Sequence, residues 1–159
     1  MKHKERCCFC GHGDIHDINL NAKIKNIVEY LINNYNIKEF WVGNYGKFDI
    51  ATSFAIKDLQ KKYTDISLNL VVPYLKNDLN SNKSLYSEKY NEILVADIPQ
   101  NIPKKFHIIK TNEYMINNSD ILVCYIERNW GGAIRTYRYA KRKGIKIYNI
   151  AEKPLKEIN

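Results

Sequence analysis

Hydrophobic residues occur along the chain either in short continuous runs or at helical spacing. Continuous apolar runs without polar alternation predict strands that are buried on both faces of a parallel sheet. Such runs lie at 6–10, 39–42, 68–72, 121–126 and 146–150. Apolar residues at i, i+3, i+4 and i+7 predict amphipathic helices at 21–34, 104–118 and 133–143, and a further helix from Asp49 to Lys62.

Strands and helices alternate in this pattern, which predicts an α/β fold. We expect a Rossmann-like, doubly wound, mostly parallel sheet with helices on both faces, formed by residues 1–159 as a single domain. The segment 120–150 is the clearest unit, because a buried run is followed by Gly131, Gly132, a helical repeat and Gly144 as a left-handed cap. The segment predicts a right-handed βαβ unit.

The middle of the chain has weaker signals. Residues 76–84 are almost all Asn, Lys, Asp and Ser, which predicts an exposed, mobile loop. Tyr86, Tyr90, Ile93 and Leu94 suggest a short helix after it, and a brief strand is expected near residues 97–98. In the predicted helices 49–62 and 104–118, Phe54 and Phe106 respectively are expected to face the core.

Four turns follow predicted strands, and in doubly wound sheets the ligand lies at the carboxyl ends of the strands. These turns contain 11–13, 43–49, Pro73 with Tyr74, and 128–133. Gly131 and Gly132 let helix N–H groups approach a phosphate. Asp49 is either a helix N-cap or the hydrogen-bond acceptor for a sugar hydroxyl.

Net charge, hydropathy and cysteine spacing indicate which kinds of partner, compartment and metal site to expect. The chain carries 25 Lys and Arg against 17 Asp and Glu, a net charge of +8 that favours an anionic partner, although many lysines serve a solvated face equally well. No apolar run approaches a membrane span and no signal peptide is recognisable, so we expect a cytoplasmic protein without membrane association. Cys7, Cys8, Cys10 and Cys124 lack zinc-like spacing, which predicts reduced, buried thiols and no metal site or cofactor.

Five ordered motifs resemble the YpsA-like branch of the SLOG superfamily, a Rossmann-like group that also contains DprA and the LOG-type phosphoribohydrolases. The resemblance covers nearly the whole chain. Its motifs are Cys7 to His12; Gly43, Gly46, Phe48 and Asp49; Val72, Pro73 and Tyr74; Asn112, Met115 and Asn118 to Asp120; and Gly131, Gly132, Tyr139, Ala140 and Lys141.

The chain departs from the family pattern at positions that matter for chemistry. Cys10 stands in place of Thr, Gly13 in place of Arg, and Thr111 in place of a basic residue, while Lys110 and Arg128 remain as cations. In LOG-type enzymes the resemblance implies a Glu of the N-glycosidic cleavage site at the position of Arg138. A guanidinium cannot stabilise an oxocarbenium ion or activate water, so we expect no LOG-type hydrolysis.

Three functions remain open at this stage. The resemblance implies a domain that binds or senses a nucleotide or nucleotide derivative, such as an ADP-ribose-like ligand or a nucleoside monophosphate. The candidate ligand-binding residues are Gly11, His12, Gly43, Gly46, Asp49, Pro73, Asn112, Arg128, Gly131 and Gly132. The alternatives are a hydrolase of an N-glycosidic bond, for which Asp49 is the best catalytic candidate, and a DprA-like nucleic-acid binder that uses Arg135, Arg138 and Arg142. The resemblance also implies a homodimer.

Overall fold

The computed structural model describes residues 5–74, 88–99 and 101–156. Within them, the strands are β1 (Arg6–Gly11), β2 (Glu39–Val42), β3 (Ser67–Val72), β4 (Glu92–Val95), β5 (Ile121–Tyr125) and β6 (Lys146–Asn149). The α-helices are α1 (Leu20–Tyr35), α2 (Lys47–Leu59), α3 (His107–Asn117) and α4 (Gly132–Lys143), and a 3₁₀ turn, Lys104–Phe106, leads into α3.

The six strands form one parallel sheet in the order β4-β3-β2-β1-β5-β6. Cys7 of β1 lies in register with Phe40 of β2 on one side and with Ile121 of β5 on the other. The chain therefore winds outward from β1 in one direction and, after β5, in the other, which confirms the predicted doubly wound Rossmann-like fold. Its switch point lies between β1 and β5, where such sheets form a crevice.

Each face of the sheet has its own core. Helices α1 and α2 cover the face that carries Cys7 and Phe9, while α3 and α4 cover the face that carries Cys8 and Cys10. The alternation follows from the two-residue period of a strand. All four cysteines are free and buried, and burial raises the pKa of the Cys8 thiol to about 12, so it stays protonated and unreactive at neutral pH.

Several local predictions were wrong or lie outside the described residues. The short helix expected around residues 93–94 is strand β4, where Ile93 and Leu94 pack against opposite cores, and residues 97–98 follow this strand instead of forming one. Phe54 is 66% exposed and Phe106 is 37% exposed, so neither side chain faces the core. The loop predicted at 76–84 lies outside the described ranges. No helix in the described ranges is long and apolar enough to cross a membrane.

Candidate functional site

A cavity of about 240 Å³ opens at the carboxyl ends of β1 and β5, between the loops that follow β1, β2 and β5 and the first turns of α3. Eight of the ten ligand-binding residues predicted from the sequence line it: Gly11, His12, Gly46, Asp49, Asn112, Arg128, Gly131 and Gly132. Tyr45 and Trp130 also line it; they lie within two of the predicted turns but were not named as ligand-binding residues. Ile108 and Ile109 of α3 line it as well, and the sequence analysis did not identify them. Tyr45 and Trp130 are aromatic residues next to glycines, whereas no sequence signal indicated Ile108 and Ile109.

Gly43 and Pro73 lie outside this cavity. A side chain at Gly43 would meet Tyr45 and the Asp49 Oδ2 atom at 3.1–3.2 Å, so Gly43 lies behind the carboxylate. Pro73 lines a separate cavity of about 540 Å³ beside Val95 and His107. The prediction that four turns meet at one crevice is wrong for the turn after β3, because β3 lies two strands away from β1.

Two glycines of the cavity are required by packing. A Cβ at Gly11 would lie 2.5 Å from the ring of the buried Phe48, and a Cβ at Gly46 would lie 2.7 Å from the Cα of Gly13. The Gly13 carbonyl also accepts the Lys47 N–H at 2.9 Å. The loop after β1 is therefore held directly against the start of α2.

The N-terminus of α4 faces the cavity without a side chain to cap it. Gly131, the N-cap residue, has φ 98°, a left-handed conformation that favours glycine, and as a glycine it supplies no side-chain hydrogen bond to the N–H groups at the start of the helix. No acidic residue lies in the first turn, and added Cβ atoms at Gly131 and Gly132 would meet nothing within 4 Å. Backbone N–H groups at a helix start, together with the helix dipole, favour an anion in such a position.

Arg128 stands at the mouth of the cavity. Its guanidinium contacts the Asp14 carboxylate at 2.7 Å and stacks on Trp130, with 4.4 Å from Cζ to the ring centroid. The Arg128 Nε atom is buried and has no hydrogen-bond partner among the described residues. Trp130 is 64% exposed, so one face of the indole is available for stacking.

His12 is held in one neutral tautomer. The backbone N–H of Glu127 donates to His12 Nε2 at 3.0 Å, which leaves the ring hydrogen on Nδ1. Burial is the main cause that lowers the pKa of His12, and the positive charge of Arg128 lowers it further. The imidazole is therefore uncharged at neutral pH, and we assign it no role in neutralising phosphate.

Asp49 is the third residue of α2 and not its N-cap, which is Gly46, so the predicted capping position was wrong. Its Oδ2 atom accepts the Tyr45 N–H at 3.1 Å. Burial raises the pKa of Asp49 to about 6, and the Tyr45 hydrogen bond offsets this only in part. Within the described ranges no basic side chain forms an ion pair with the carboxylate.

We expect Asp49→Asn to stabilise the folded protein by about 1–2 kcal/mol at pH 7.5, because it removes a charge that is costly to bury. The advantage should shrink as the pH falls below about 6, where folded Asp49 takes up a proton before the unfolded chain does, and should vanish below the unfolded pKa. Urea unfolding of both proteins at pH 7.5 and pH 3.5 measures the difference. A wild type that is the more stable protein at pH 7.5 would contradict the buried-charge interpretation.

A basic groove of about 430 Å³ runs between α3 and α4 and continues from the cavity, since Ile109 lines both. The charged residues of the groove are Lys110, Arg135, Arg138 and Arg142, with Glu113, which forms an ion pair with Lys110 at 3.2 Å, as the one acid among its lining residues. Asn112 Nδ2 donates to Thr136 Oγ1 at 3.2 Å and so links the two helices at the boundary between cavity and groove. Arg138 lies in this groove and is absent from the cavity lining.

The fold and the site together define a Rossmann-like α/β protein with a cavity at its switch point. The chain is similar to the X-ray structure of DNA processing protein A (DprA) from Streptococcus pneumoniae, with 15% identity and a TM-score of 0.60 over 91% of this chain and 50% of that one. It is also similar to DNA processing protein A from Helicobacter pylori, a structure that describes a single-stranded DNA binding mode, with 13% identity and a TM-score of 0.61 over 89% of this chain and 63% of that one. The chain thus spans between half and two thirds of these proteins, and the similarity demonstrates a shared fold. No protein-family model and no curated protein sequence matches the chain.

Proposed function

We propose that this protein binds single-stranded nucleic acid, with one nucleotide in the cavity and the neighbouring phosphates in the basic groove. The observation that carries the proposal is the continuity of the two sites. The cavity takes an anion at the start of α4, and the groove extends from it along α4 with four cations and one acid. A single nucleotide would not need the groove, whereas a strand uses both.

The comparisons support this function over the nucleotide-sensing alternative. Two proteins of similar fold are DNA processing proteins, and one of them is described as binding single-stranded DNA. Together with the five motifs, this similarity supports membership of the SLOG superfamily, and the YpsA-like branch within it remains a proposal. The homodimer implied by the resemblance also remains a prediction.

The phosphate contacts follow from the charges in the groove. Arg135 and Arg142 are exposed on the same stripe of α4, and the Arg142 guanidinium lies over the Tyr139 ring, with 5.7 Å from Cζ to the centroid. Both groups are at the surface, where they can contact a phosphate backbone. The exposed face of Trp130 provides a platform on which a base stacks, and base stacking on aromatic side chains tolerates any sequence. Affinity is therefore expected to depend on charge and stacking together.

We expect affinity for a 12-nucleotide oligothymidine to fall about 20-fold between 50 and 200 mM salt, since phosphate contacts from the three arginines of the groove to a single strand give a slope near −2. Arg135→Glu with Arg142→Glu should weaken binding more than about tenfold at 50 mM salt and reduce the slope by about 1.4. Fluorescence anisotropy measures both quantities.

The matched control is Lys57→Glu with Lys61→Glu, which makes the same change of charge at and just beyond the C-terminal end of α2, a helix on the opposite face of the sheet. This pair should change the affinity less than about threefold. Equal losses in the two double variants would show a nonspecific effect of net charge and would refute the groove as the binding site.

The second candidate function is binding of a free nucleotide or nucleotide derivative in the cavity. The observation that favours it is Asp49, a partly buried acceptor near the anion-binding start of α4. Hydrolysis of an N-glycosidic bond requires a second placed group, and Arg138 lies outside the cavity lining, at the position where LOG-type enzymes have a Glu. A nucleoside monophosphate that binds as tightly as the oligonucleotide, with no dependence on Arg135 and Arg142, would favour this second function.

A further inference from the structure

The Asp49 carboxylate has acceptor capacity that the described part of the protein does not use. An ionised carboxylate accepts up to about four hydrogen bonds. Here the Tyr45 N–H donates to Oδ2, and no other donor or cation of the described residues is bonded to the side chain. Partial burial makes unused acceptors costly, and a ligand that donates to them removes that cost.

The surroundings of Asp49 suit one flat base. Tyr45, Ile108 and Ile109 give the cavity apolar and aromatic walls, and the uncapped start of α4 lies in the same lining. At about 240 Å³ the cavity is below the ~300–1,000 Å³ typical of pockets that enclose drug-sized ligands. The space therefore matches one base, with its phosphate at the helix, and the rest of a strand must lie outside.

We propose that the cavity selects guanine, whose adjacent N1–H and N2–H₂ groups donate to the Asp49 carboxylate. The proposal rests on the proposed binding of single strands. Guanine is the only common base with two neighbouring donors on its Watson–Crick edge. Adenine and cytosine place a ring acceptor beside their amino group, and thymine places its single N–H between two carbonyl oxygens, so each of them sets an acceptor against the carboxylate.

A ribose diol also offers two neighbouring donors, through its 2′ and 3′ hydroxyl groups. Within a strand, however, the 3′ oxygen is esterified and donates nothing, and deoxyribose lacks the 2′ hydroxyl. For a polymeric ligand the base edge is therefore the donor pair that remains. A comparison of deoxy- and ribo-oligonucleotides shows whether the donor to Asp49 is the base edge or a ribose hydroxyl.

The test is fluorescence anisotropy with 12-nucleotide oligothymidines that carry one central substitution, measured at pH 7.5 and 50 mM salt. We expect central dG to bind about tenfold or more tighter than unsubstituted oligothymidine, since one bidentate contact typically discriminates between bases by that order. Deoxyinosine, which lacks only the 2-amino group, should lose most of this gain. In Asp49→Asn, which retains an acceptor for Tyr45, the ratio between dG and deoxyinosine should fall close to one.

Equal affinity for dG, deoxyinosine and oligothymidine, with a normal salt dependence, overturns the guanine inference and leaves single-strand binding intact. Tighter binding of oligouridine than of oligothymidine that is lost in Asp49→Asn assigns Asp49 to the ribose 2′ hydroxyl and also overturns it. Should no oligonucleotide bind, the proposed function fails, and thermal shifts with the 5′-monophosphates of deoxyguanosine and deoxyinosine test the base preference alone. If Asp49→Asn retains the wild-type ratio between the affinities for the dG and deoxyinosine oligonucleotides, Asp49 does not recognise the base.

Discussion

Gly132→Asp is expected to reduce the affinity for single-stranded oligonucleotides about 100-fold at 50 mM salt. The new carboxylate would lie at the first residue of α4, where the uncapped N–H groups are expected to take a phosphate. It repels that phosphate and competes for the helix N–H groups and for the Arg128 guanidinium. Anisotropy titration with a 12-nucleotide oligothymidine measures the loss.

This substitution separates binding from folding. Gly132 does not have a positive φ, and an added Cβ meets no atom within 4 Å, so a side chain fits there. A negative charge in the first turn of a helix is mildly stabilising, and the thermal stability of the variant should match or exceed that of the wild type. Gly132→Asn is the matched neutral control and should lose less than about fivefold. Equal losses for Asp and Asn would show that the side chain blocks the site by its size, which would contradict a phosphate at this position.

Gly11→Ala is expected to lower the free energy of unfolding by about 2 kcal/mol or more. Its Cβ would come within 2.5–2.7 Å of Phe48, which is 1% exposed and packs between Phe9 and Tyr125. A fully buried ring in this position can move only by displacing its neighbours, and overpacking of that kind typically costs about 1–3 kcal/mol. Urea unfolding monitored by circular dichroism gives the value.

Gly13→Ala is the control for Gly11→Ala. Gly13 lies two residues after Gly11, in the loop that follows β1; it has no positive φ, and an added Cβ meets nothing within 4 Å. Its unfolding free energy should change by less than about 0.5 kcal/mol. A similar loss for both variants would mean that the loop itself needs glycine flexibility, and that the contact with Phe48 is not the cause.

The position of helices and strands depends on local hydrophobic pattern, and this is why the sequence alone predicted most of them. The strands β1, β2, β3, β5 and β6 and the helices α1 and α4 agree with the predicted ranges to within about two residues. Strand β4 was missed because it is a short edge strand of four residues, and because Ile93 and Leu94 also fit a helical spacing with Tyr86 and Tyr90 in the sequence.

The residues that line the cavity could be predicted only in part from local sequence signals, because the rest follow from the tertiary structure. Glycines at strand ends marked the loops after β1, β2 and β5, and these loops do line one cavity. Nothing in the sequence indicated that Pro73 lies elsewhere, because the distance of β3 from the switch point is a property of strand order. Local pattern also could not distinguish Gly11, where an added Cβ would overlap Phe48, from Gly132, where an added Cβ would meet no atom within 4 Å.

The sequence by itself determined the fold class, the glycine-initiated α4 and the stripe of arginines along it, because these features arise from neighbours in the chain. The tertiary structure alone decided three others. It placed α3 beside α4 to form the groove, it left Asp49 partly buried without a cation in the described ranges, and it brought the loop after β1 against the start of α2. Each of these depends on contacts between residues that are distant in sequence, and a one-dimensional pattern does not encode the environment that such contacts create.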